Sequence, residues 1–294
     1  MYPGAYVETT PEKPAVIMAE TGEQMSFAEL DDYANRLANL FQSAGFEPGD
    51  HVALCLENRL DYMAICWGAH YAGLIYTAIS SRLTDEEIAY IVNDCGARAY
   101  ITSPYKADEA AALLTETPGV EMRLSVGGRL DGYDDLGDLL AQQQVEPVGP
   151  RVEGGDMLYS SGTTGRPKGV KVPVEPVSLG DTDSVTTLLS LLFGATADTV
   201  YLSPAPLYHA APLRFCRGIN RLGATLVVME HFDAENMLRF IEQYRVTLMQ
   251  VVPTMFVRAL KLDDDVRASY DVSSLEGVVH AAAPCPVAVK KHMI

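Results

Sequence analysis

Residues 51–79 read HVALCLENRLDYMAICWGAHYAGLIYTAI, and this stretch decides the fold class. His51–Leu56 and Leu74–Ile79 are apolar runs typical of buried strands, and Tyr62–Tyr71 between them predicts a helix. Met63–Ser80 carries no acid, Lys or Arg, but it divides into a helix and a strand and contains two glycines and a histidine. We therefore expect a strand–helix–strand unit of a parallel sheet and no integral membrane segment.

The same alternation of strand and helix extends in both directions from this stretch. Near it, the sequence predicts strands at Ala15–Ala19 and Arg98–Thr102, a helix opened by the capping box of Ser26 and Glu29, and a helix over Glu86–Asp94 opened by Thr84 and Glu87. Later, it predicts strands at Thr199–Leu202, Thr225–Met229 and Leu248–Val252, with helices at Ala234–Tyr244 and Thr254–Leu262. This order indicates a two-lobed α/β fold with doubly wound parallel sheets and flanking helices.

The expected organisation is two α/β lobes, residues 1–150 and residues 151–294. Val145–Asp156 is rich in Pro, Gly and charge and predicts a linker between the lobes. Pro286–Ile294 predicts the opening of a helix that has no cap, glycine or polar tail after it, as in a chain that has been cut. We therefore expect the second lobe to be incomplete and the sequence to be a fragment of a longer protein.

Acidic residues dominate the composition and are concentrated in the first half of the chain. The 294 residues include 22 Lys and Arg and 39 Asp and Glu, a formal net charge of −17. Residues 1–150 contribute 8 basic and 24 acidic residues, and residues 151–294 contribute 14 and 15. This composition argues against a nonspecific nucleic-acid binder and against docking on an anionic membrane, because either needs a clustered basic face. A phosphate-bearing ligand is expected in the near-neutral second half.

The cysteines predict neither a disulfide framework nor a zinc site. Cys55, Cys66, Cys95, Cys216 and Cys285 are far apart and form no C-x-x-C pair, so we expect buried thiols in a reducing cytoplasm. The N-terminus lacks a basic region followed by an apolar run, so no signal peptide is predicted. Neither a G-x-S-x-G turn nor a H-E-x-x-H helix occurs, so the hydrolase and metalloprotease classes have no motif here.

The strongest chemical signal is a glycine-rich loop, Ser160–Lys168, within YSSGTTGRPKG at residues 159–169. The glycines let the backbone approach a ligand and present N–H groups to anionic oxygens, while four hydroxyls can donate to phosphate oxygens or reach a bound cation. Arg166 and Lys168 add positive charge. The loop is not a Walker A motif, because Pro167 stands where that motif needs its second glycine. Apolar residues on both sides predict a strand–loop–strand element.

The glycine-rich loop resembles the signature of the adenylate-forming enzymes, a family of acyl- and aryl-CoA synthetases, adenylation domains and luciferases. Two further segments support the resemblance: PAPLYHAAPL at residues 204–213 is similar to the family's P-L-[FY]-H segment, and VHAAAP at residues 279–284 is similar to its G-G-A-P segment. The sequence is most similar to bacterial fatty-acyl-CoA synthetases. The resemblance implies the large N-terminal domain of the acyl-CoA synthetase/luciferase-like fold, in truncated form.

The resemblance implies an ATP-dependent acid–thiol ligase. A carboxylate attacks the α-phosphate of ATP to give an acyl-adenylate and pyrophosphate, and the thiol of coenzyme A then displaces AMP to form a thioester. Such a transfer depends on positioning and charge neutralisation. The catalytic residues implied are Thr164, Lys168 and His209, with Thr164 also next to Mg²⁺. The nucleotide would contact Ser160, Ser161, Gly162, Thr163, Thr164, Gly165, Lys168, His280, Ala281, Ala282, Ala283 and Pro284.

Several alternatives stay open on the sequence alone. An aryl- or amino-acid-adenylating enzyme uses the same fold, although no acidic residue near His209 or Val252–Phe256 marks an amine pocket. A non-catalytic nucleotide- or acyl-binding module and a luciferase-like oxygenase are the other candidates. In the resemblance, the family's magnesium-binding Glu, ribose-binding Asp and C-terminal lid domain follow residue 294, so we expect the isolated chain to be inactive or nearly so. The implied partners are a small carboxylic acid, ATP and coenzyme A in a cytoplasmic protein of fatty-acid metabolism, and a homodimer is left open.

Overall fold

The computed structural model describes residues 1–160, 167–170, 178–181 and 183–293. The chain forms two compact units, which are described separately below. Unit 1 consists of Met1–Ala28, Asn58–Leu60 and Thr182–Ile294, and unit 2 consists of Glu29–Glu57 and Asp61–Asp181.

Strands and helices alternate along most of the chain. The strands are β1 (Pro14–Met18), β2 (Gln24–Ser26), β3 (His51–Cys55), β4 (Ile75–Ile79), β5 (Ala97–Thr102), β6 (Met122–Ser125), β7 (Asp134–Asp135), β8 (Gly155–Asp156), β9 (Leu158–Ser160), β10 (Lys168–Val170), β11 (Val200–Ser203), β12 (Thr225–Val228), β13 (Leu248–Val251) and β14 (Gly277–His280). The helices are α1 (Phe27–Ser43), α2 (Tyr62–Tyr71), α3 (Asp85–Asp94), α4 (Ala107–Glu116), α5 (Leu136–Leu140), α6 (Ser184–Phe193), α7 (Ala210–Arg221), α8 (Ala234–Tyr244), α9 (Pro253–Ala259), α10 (Asp264–Ala268) and α11 (Val287–Met293).

Unit 2 is built on a parallel sheet of order β7-β6-β5-β3-β4-β8. β3 pairs with β4 on one side and with β5 on the other, so the direction of winding reverses between β3 and β5. Helix α2 is buried along its whole length, which explains why residues 62–71 carry no acidic residue, Lys or Arg. Gly68 is required in α2 because a Cβ there would lie 2.7 Å from the Leu37 side chain of α1. Within the described ranges, no helix is both long and apolar enough to cross a bilayer.

Unit 1 contains a second sheet, of order β14-β13-β11-β12-β1-β2. Its strands pair in parallel except for β1 with the edge strand β2. β11 lies between β12 and β13, so the winding reverses between β11 and β13. The core of this unit includes Leu202, Val227 and Met249 from the strands and Phe240 from α8. These parallel sheets with flanking helices confirm the α/β fold class that the sequence predicts.

The two units differ from the contiguous lobes divided at residue 150 that the sequence suggests. β1 pairs with β12, so the N-terminal strand belongs to unit 1. β8, which precedes the glycine-rich loop, pairs with β4, and β9 and β10 on either side of the loop also belong to unit 2. Val145–Asp156 lies within unit 2 instead of linking two lobes. There, the Arg151 guanidinium donates hydrogen bonds to the side chains of Asn35, Asn39 and Gln42 of α1.

This division assigns the glycine-rich loop to the acidic part of the chain. Unit 2 contains 10 basic and 24 acidic residues, a net charge of −14, whereas unit 1 contains 12 and 15, a net charge of −3. The expectation that the loop belongs to a near-neutral part of the protein is therefore wrong for the folded units, because β9 and β10 on either side of it belong to unit 2. Arg166, Lys168 and the nearby Lys171 are its local positive charges.

Most predicted elements are confirmed, with ends that differ mainly by one residue. Tyr62–Tyr71 and Ala234–Tyr244 are helices with the predicted ends. Thr84 caps α3 with a complete capping box, in which the Glu87 N–H donates to Thr84 Oγ1 and the Thr84 N–H donates to the Glu87 carboxylate. Helix α9 ends earlier than predicted, at Ala259. Local spacing and capping signals are therefore sufficient to locate these elements.

Burial suppresses the reactivity of most of the thiols. All five cysteines are free; Cys55, Cys66, Cys95 and Cys216 are buried, and Cys285 is partly exposed. Burial raises the pKa of Cys55 and of Cys216 to about 12, and that of Cys95 to about 11. Because the thiolate is the reactive form, these three thiols stay protonated and unreactive at neutral pH.

Thiol titration of the native chain near pH 8 tests this placement. We expect one fast-reacting thiol, Cys285, and five only after denaturation. Cys285→Ser should abolish the fast phase, whereas the matched Cys216→Ser should leave it unchanged. A fast-reacting thiol that persists in the Cys285→Ser variant would contradict the burial of the other four.

Candidate functional site

The glycine-rich loop connects the two strands of an antiparallel hairpin in unit 2. β9 and β10 pair with Ser160 opposite Lys168 and Tyr159 opposite Gly169. The Ser160 hydroxyl also donates a hydrogen bond of 3.5 Å to the Lys168 carbonyl. This arrangement confirms the predicted strand–loop–strand element and fixes the two ends of the loop side by side. The expected contacts of Ser161, Gly162, Thr163, Thr164, Gly165 and Arg166 lie outside the described residues and stay predictions.

Helix α3 holds the hairpin through two hydrogen bonds. The Tyr159 hydroxyl donates to Asp94 Oδ2 at 2.5 Å, and the Tyr90 hydroxyl donates to the Pro167 carbonyl at 3.3 Å. Burial, and after it the neighbouring Asp94 side chain, raises the pKa of the Tyr159 phenol above its ordinary value. The phenol therefore keeps its proton and remains the donor. The residue before the loop and the residue before Lys168 are thus tied to the same helix.

Gly169 is closely packed within the hairpin. A Cβ at this position would overlap Met157 Cε and would lie 2.9 Å from Cζ of the Tyr159 ring. The absent side chain leaves the space that this ring occupies while its hydroxyl reaches Asp94. The glycine that ends the motif therefore has a packing reason that is independent of any ligand.

A second connection in unit 2 joins the residues before the hairpin to those after it. Glu153 Oε1 lies 2.7 Å from Nε2 of the buried His70 on α2, and Glu153 Oε2 accepts a 3.0 Å hydrogen bond from the Gly180 N–H. The neighbouring Val152 forms an antiparallel bridge with Ser178. The segments that lead into and out of the hairpin region are therefore held together beside α2, with the buried His70 as part of the connection.

In unit 1, three segments that follow parallel strands meet at the carboxyl edge of the sheet. They are Pro204–His209 after β11, Val252–Phe256 after β13 and Ala281–Pro284 after β14. Because the winding reverses between β11 and β13, the first two flank the switch point, where doubly wound sheets open a crevice for ligands. The tertiary fold thus carries His209 and the His280–Pro284 segment to one edge of one sheet.

His209 stands at the N-terminus of α7. It is the N-cap residue, its carbonyl accepts the Leu213 N–H at 3.0 Å, and its own N–H donates to the Pro206 carbonyl at 3.2 Å. Its exposed imidazole lies with its centroid 4.6 Å from that of the Tyr208 ring. Since the N-terminus of a helix favours negative charge, His209 stands where a carboxylate or phosphate oxygen would be stabilised.

The segment after β14 continues the sheet beside β13. His280 lies opposite Val251, and the Ala281 N–H donates to the Val251 carbonyl at 3.2 Å. The His280 ring contacts the Phe256 ring, with centroids 6.1 Å apart. This places His280 next to the segment after β13, where the residue pattern predicts the end of a strand and the start of a helix.

Ala282 has an unusual backbone for a residue with a side chain. Its φ of 69° lies in the left-handed region, where a Cβ is disfavoured. The family segment that it resembles often has glycines here, and glycine adopts this conformation freely. The alanine therefore holds a backbone conformation that glycine would adopt without strain.

The expected site residues that the structure describes lie in two groups, one in each unit. Ser160 and Lys168 flank the glycine-rich loop in unit 2, and His209 and His280–Pro284 share the carboxyl edge in unit 1. No sequence pattern indicates that Tyr90 and Asp94 of α3 support the hairpin, since polar residues on an amphipathic helix are typical of a solvated face. Thr164, the expected magnesium ligand, is not described, and within the described ranges no three His, Cys, Asp or Glu side chains form a metal-binding group. The magnesium site stays a prediction.

A doubly wound fold with loops gathered at a switch point defines a class of α/β ligand-binding proteins. Comparison with known families makes the class specific. The family described as AMP-binding enzyme matches residues 5–294, and the chain belongs to this family. The resemblance that rests on the glycine-rich loop and the two later segments is thereby confirmed.

The chain is similar to several acid–CoA ligases. It is 32% identical over 276 residues to a feruloyl-CoA synthase of an Amycolatopsis species, covering 92% of this chain and 52% of that protein. It is 28% identical over 293 residues to the long-chain-fatty-acid–CoA ligase FadD13 of Mycobacterium tuberculosis, covering 96% and 54%. The inhibitor-bound N-terminal domain of FACL13 from the same organism superposes with a TM-score of 0.83 at 24% identity, covering 98% and 71%, which confirms the fold. The chain spans about half the length of the curated relatives it matches.

Gly169→Ala tests the packing of the hairpin. We expect a loss of about 1–3 kcal/mol in the free energy of unfolding, because the new Cβ overlaps Met157 and the Tyr159 ring. The matched control is Gly119→Ala, where a Cβ meets no atom within 4 Å, and the expected change is within about 0.5 kcal/mol. Urea unfolding followed by circular dichroism measures both; equal losses for the two variants would contradict the close approach at Gly169.

Ala282→Gly tests the strained backbone at the edge of the unit 1 sheet. We expect the free energy of unfolding to rise by up to about 1 kcal/mol, because the left-handed strain is removed while glycine adds some unfolded-state entropy. Ala281→Gly, at a position without a positive φ, should instead lower it by about 0.5–1 kcal/mol. The same loss of stability in both variants would be inconsistent with the backbone conformation of Ala282.

Proposed function

We propose that the protein is an AMP-forming acid–CoA ligase and that this chain supplies an N-terminal part of it. A carboxylate oxygen bonds to the α-phosphorus of ATP as the bond to pyrophosphate breaks, and the thiol sulfur of coenzyme A then bonds to the acyl carbon as AMP leaves. Family membership and the CoA ligases among the relatives support this proposal. The observation that carries it is the hairpin that fixes Ser160 and Lys168 at the two ends of a loop rich in glycines and hydroxyls.

The glycine-rich loop would bind the β- and γ-phosphates of ATP. Lys168 is exposed at the start of β10. Its ammonium would neutralise the charge that develops on the leaving pyrophosphate, while the loop hydroxyls and N–H groups hold the phosphate oxygens in line with the attacking carboxylate. Because unit 2 carries a net charge of −14, this attraction has to be local, between groups in direct contact with the ligand.

His209 and the His280–Pro284 segment would receive the acyl-adenylate. The N-terminus of α7 and the imidazole of His209 would orient the substrate carboxylate for attack. The small side chains of Ala281, Ala282 and Ala283 would let the adenine lie against the backbone. Bound Mg²⁺ would supply further neutralisation of the phosphate charge, with the Thr164 hydroxyl as the residue of this chain nearest to it.

The substrate class that we propose is an uncharged acyl chain of the fatty-acid type. Pro204–His209 and Val252–Phe256 contain no Asp, Glu, Lys or Arg, so neither segment offers a charged partner for an amine or a second carboxylate. An aryl acid is the competing substrate, because a feruloyl-CoA synthase is 32% identical to the chain. A panel of fatty and aryl acids, assayed with the same enzyme preparation, separates the two classes.

A non-catalytic nucleotide- or acyl-binding module is the second candidate function of the chain by itself. It is favoured by the fact that the chain spans about half the length of its curated relatives. A cytoplasmic location and a place in fatty-acid metabolism belong to the first proposal, and a homodimer would be compatible with either. Calorimetry with ATP and an acyl-adenylate analogue detects the binding that both candidates require, and turnover distinguishes them.

Lys168→Ala and Thr164→Ala, made in the complete open reading frame, test the role of the glycine-rich loop. We expect kcat/KM for ATP to fall by about 100-fold for Lys168→Ala and by at least about tenfold for Thr164→Ala, with KM for the acid changed by less than about twofold. Acid-dependent exchange of pyrophosphate into ATP measures the adenylation step. Lys261→Ala, at an exposed position of unit 1, is the matched control and should keep wild-type kinetics. Wild-type kcat/KM for ATP in both loop variants would contradict the assigned role.

The 294-residue chain and the complete open reading frame should differ in the same assay. We expect pyrophosphate exchange by the complete protein and little or none by the chain alone, because the resemblance places further catalytic residues after residue 294. Robust exchange by the chain alone would refute the proposal that it is one part of a larger enzyme.

A further inference from the structure

A single amide side chain holds the loop that carries His209. Asn58 Nδ2 donates hydrogen bonds to the Ala205 carbonyl at 3.2 Å and to the Met229 carbonyl at 2.8 Å, and Asn58 Oδ1 accepts the Leu207 N–H at 2.8 Å. These residues all belong to unit 1. Ala205 and Leu207 follow β11, and Met229 follows β12, so the amide joins the carboxyl ends of two neighbouring strands.

The three hydrogen bonds satisfy backbone groups that lie beyond the strand ladders. Ala205 is 5% exposed, and Leu207 and Met229 are fully buried, so their polar backbone groups cannot rely on water. A buried N–H or C=O without a partner is costly. Pro204 and Pro206 lack an N–H, which leaves the loop few local bonds of its own. Asn58 therefore supplies hydrogen bonds to backbone groups that strand pairing in the sheet does not satisfy.

The position of this loop determines the position of His209. Leu207 is two residues before His209, and Pro206, between the two anchored residues, accepts the His209 N–H at 3.2 Å. His209 in turn begins α7 as its N-cap residue. A shift of the loop would move the imidazole relative to the helix N-terminus and to the carboxyl edge of the sheet.

We propose that Asn58 is a positioning residue for adenylate formation: it fixes the Pro204–His209 loop so that His209 can orient the carboxylate for attack on the α-phosphate. This inference rests on the proposed function. Asn58 acts through the backbone that carries His209, so it should affect the rate of the reaction step more than the binding of ATP. No local sequence pattern indicates this role, because the hydrogen-bond partners of Asn58 in the loop are some 150 residues away in the chain.

The test combines the mobility of the loop with kinetics. In the 294-residue chain, Asn58→Ala should raise hydrogen exchange in residues 204–209 by at least about tenfold. In the complete protein, it should lower kcat for acid-dependent pyrophosphate exchange by about 10- to 100-fold while KM for ATP changes by less than about twofold. Asn58→Asp is the second variant. Its side chain has the same shape and keeps the acceptor for the Leu207 N–H, but it loses both donated hydrogen bonds. Faster exchange in residues 204–209 and a lower kcat should therefore appear without a large change in side-chain volume.

Asn39 provides a matched control in unit 2. Its Nδ2 donates to the Gln144 carbonyl at 2.8 Å and to the Glu146 carbonyl at 2.9 Å, and its Oδ1 accepts the Val148 N–H at 3.1 Å. Asn39→Ala thus removes the same kinds of bond, together with the hydrogen bond from the Arg151 guanidinium, from a region that carries none of the expected site residues. It should lower the unfolding temperature, yet leave exchange in residues 204–209 and kcat within about twofold of wild type.

Two outcomes would overturn the positioning role of Asn58. One is unchanged exchange in residues 204–209 in both Asn58 variants, and the other is a loss of kcat equal to that of Asn39→Ala. The absence of adenylating activity from the wild-type protein would refute the proposed function, while the exchange measurement would still decide whether Asn58 fixes the loop. The two proposals therefore fail in distinguishable ways.

Discussion

Parallel pairing in the sheet of unit 1 is the constraint on which the candidate site depends. Strands that run in the same direction end at the same edge, so the segments after β11, β13 and β14 must gather there. β11 pairs with β12 on one side and with β13 on the other. The connections from β11 to β12 and from β12 to β13 therefore run in opposite directions along the sheet, and the switch point lies between β11 and β13. His209 and His280, far apart in the chain, are brought to one edge by the parallel pairing of the strands that precede them.

The two groups of expected site residues, one in each unit, are stabilised by different means. In unit 2, the glycine-rich loop is anchored from outside, by the hairpin itself, by hydrogen bonds to α3 and by the space that Gly169 leaves for Tyr159. In unit 1, the loop that carries His209 is anchored by one amide side chain. In both units, some of the supporting side chains, Asp94 and Tyr90 in unit 2 and Asn58 in unit 1, lie outside the segments that carry the motifs. For the phosphate binding that we propose, the attraction has to come from groups close to the ligand, because unit 2 carries a net charge of −14.

Much of the secondary structure and the family could be predicted from the sequence. Helix α2 has the predicted ends because its residues are apolar throughout and are bounded by a strand on each side, and the capping box of Thr84 and Glu87 is complete. The glycine-rich loop could be predicted because its glycines, hydroxyls and basic residues stand within a few positions of each other. The division at residue 150 could not be corrected from the sequence, because a Pro- and Gly-rich segment resembles a linker unless its partners are known. Arg151 shows the reason: its hydrogen-bond partners lie on α1, more than 100 residues earlier.

By itself, the sequence determined where strands and helices form, which residues could meet a phosphate, and which family the chain resembles. These properties depend on residues within a few positions of each other, through periodicity, capping and motif spacing. Only the tertiary structure decided that the glycine-rich loop belongs to the acidic unit, that Tyr159 is tied to Asp94, and that Asn58 holds the loop before His209. The physical reason is that strand pairing and the satisfaction of buried polar groups join residues far apart in the chain, and no local pattern specifies which distant partner a strand or an amide will find.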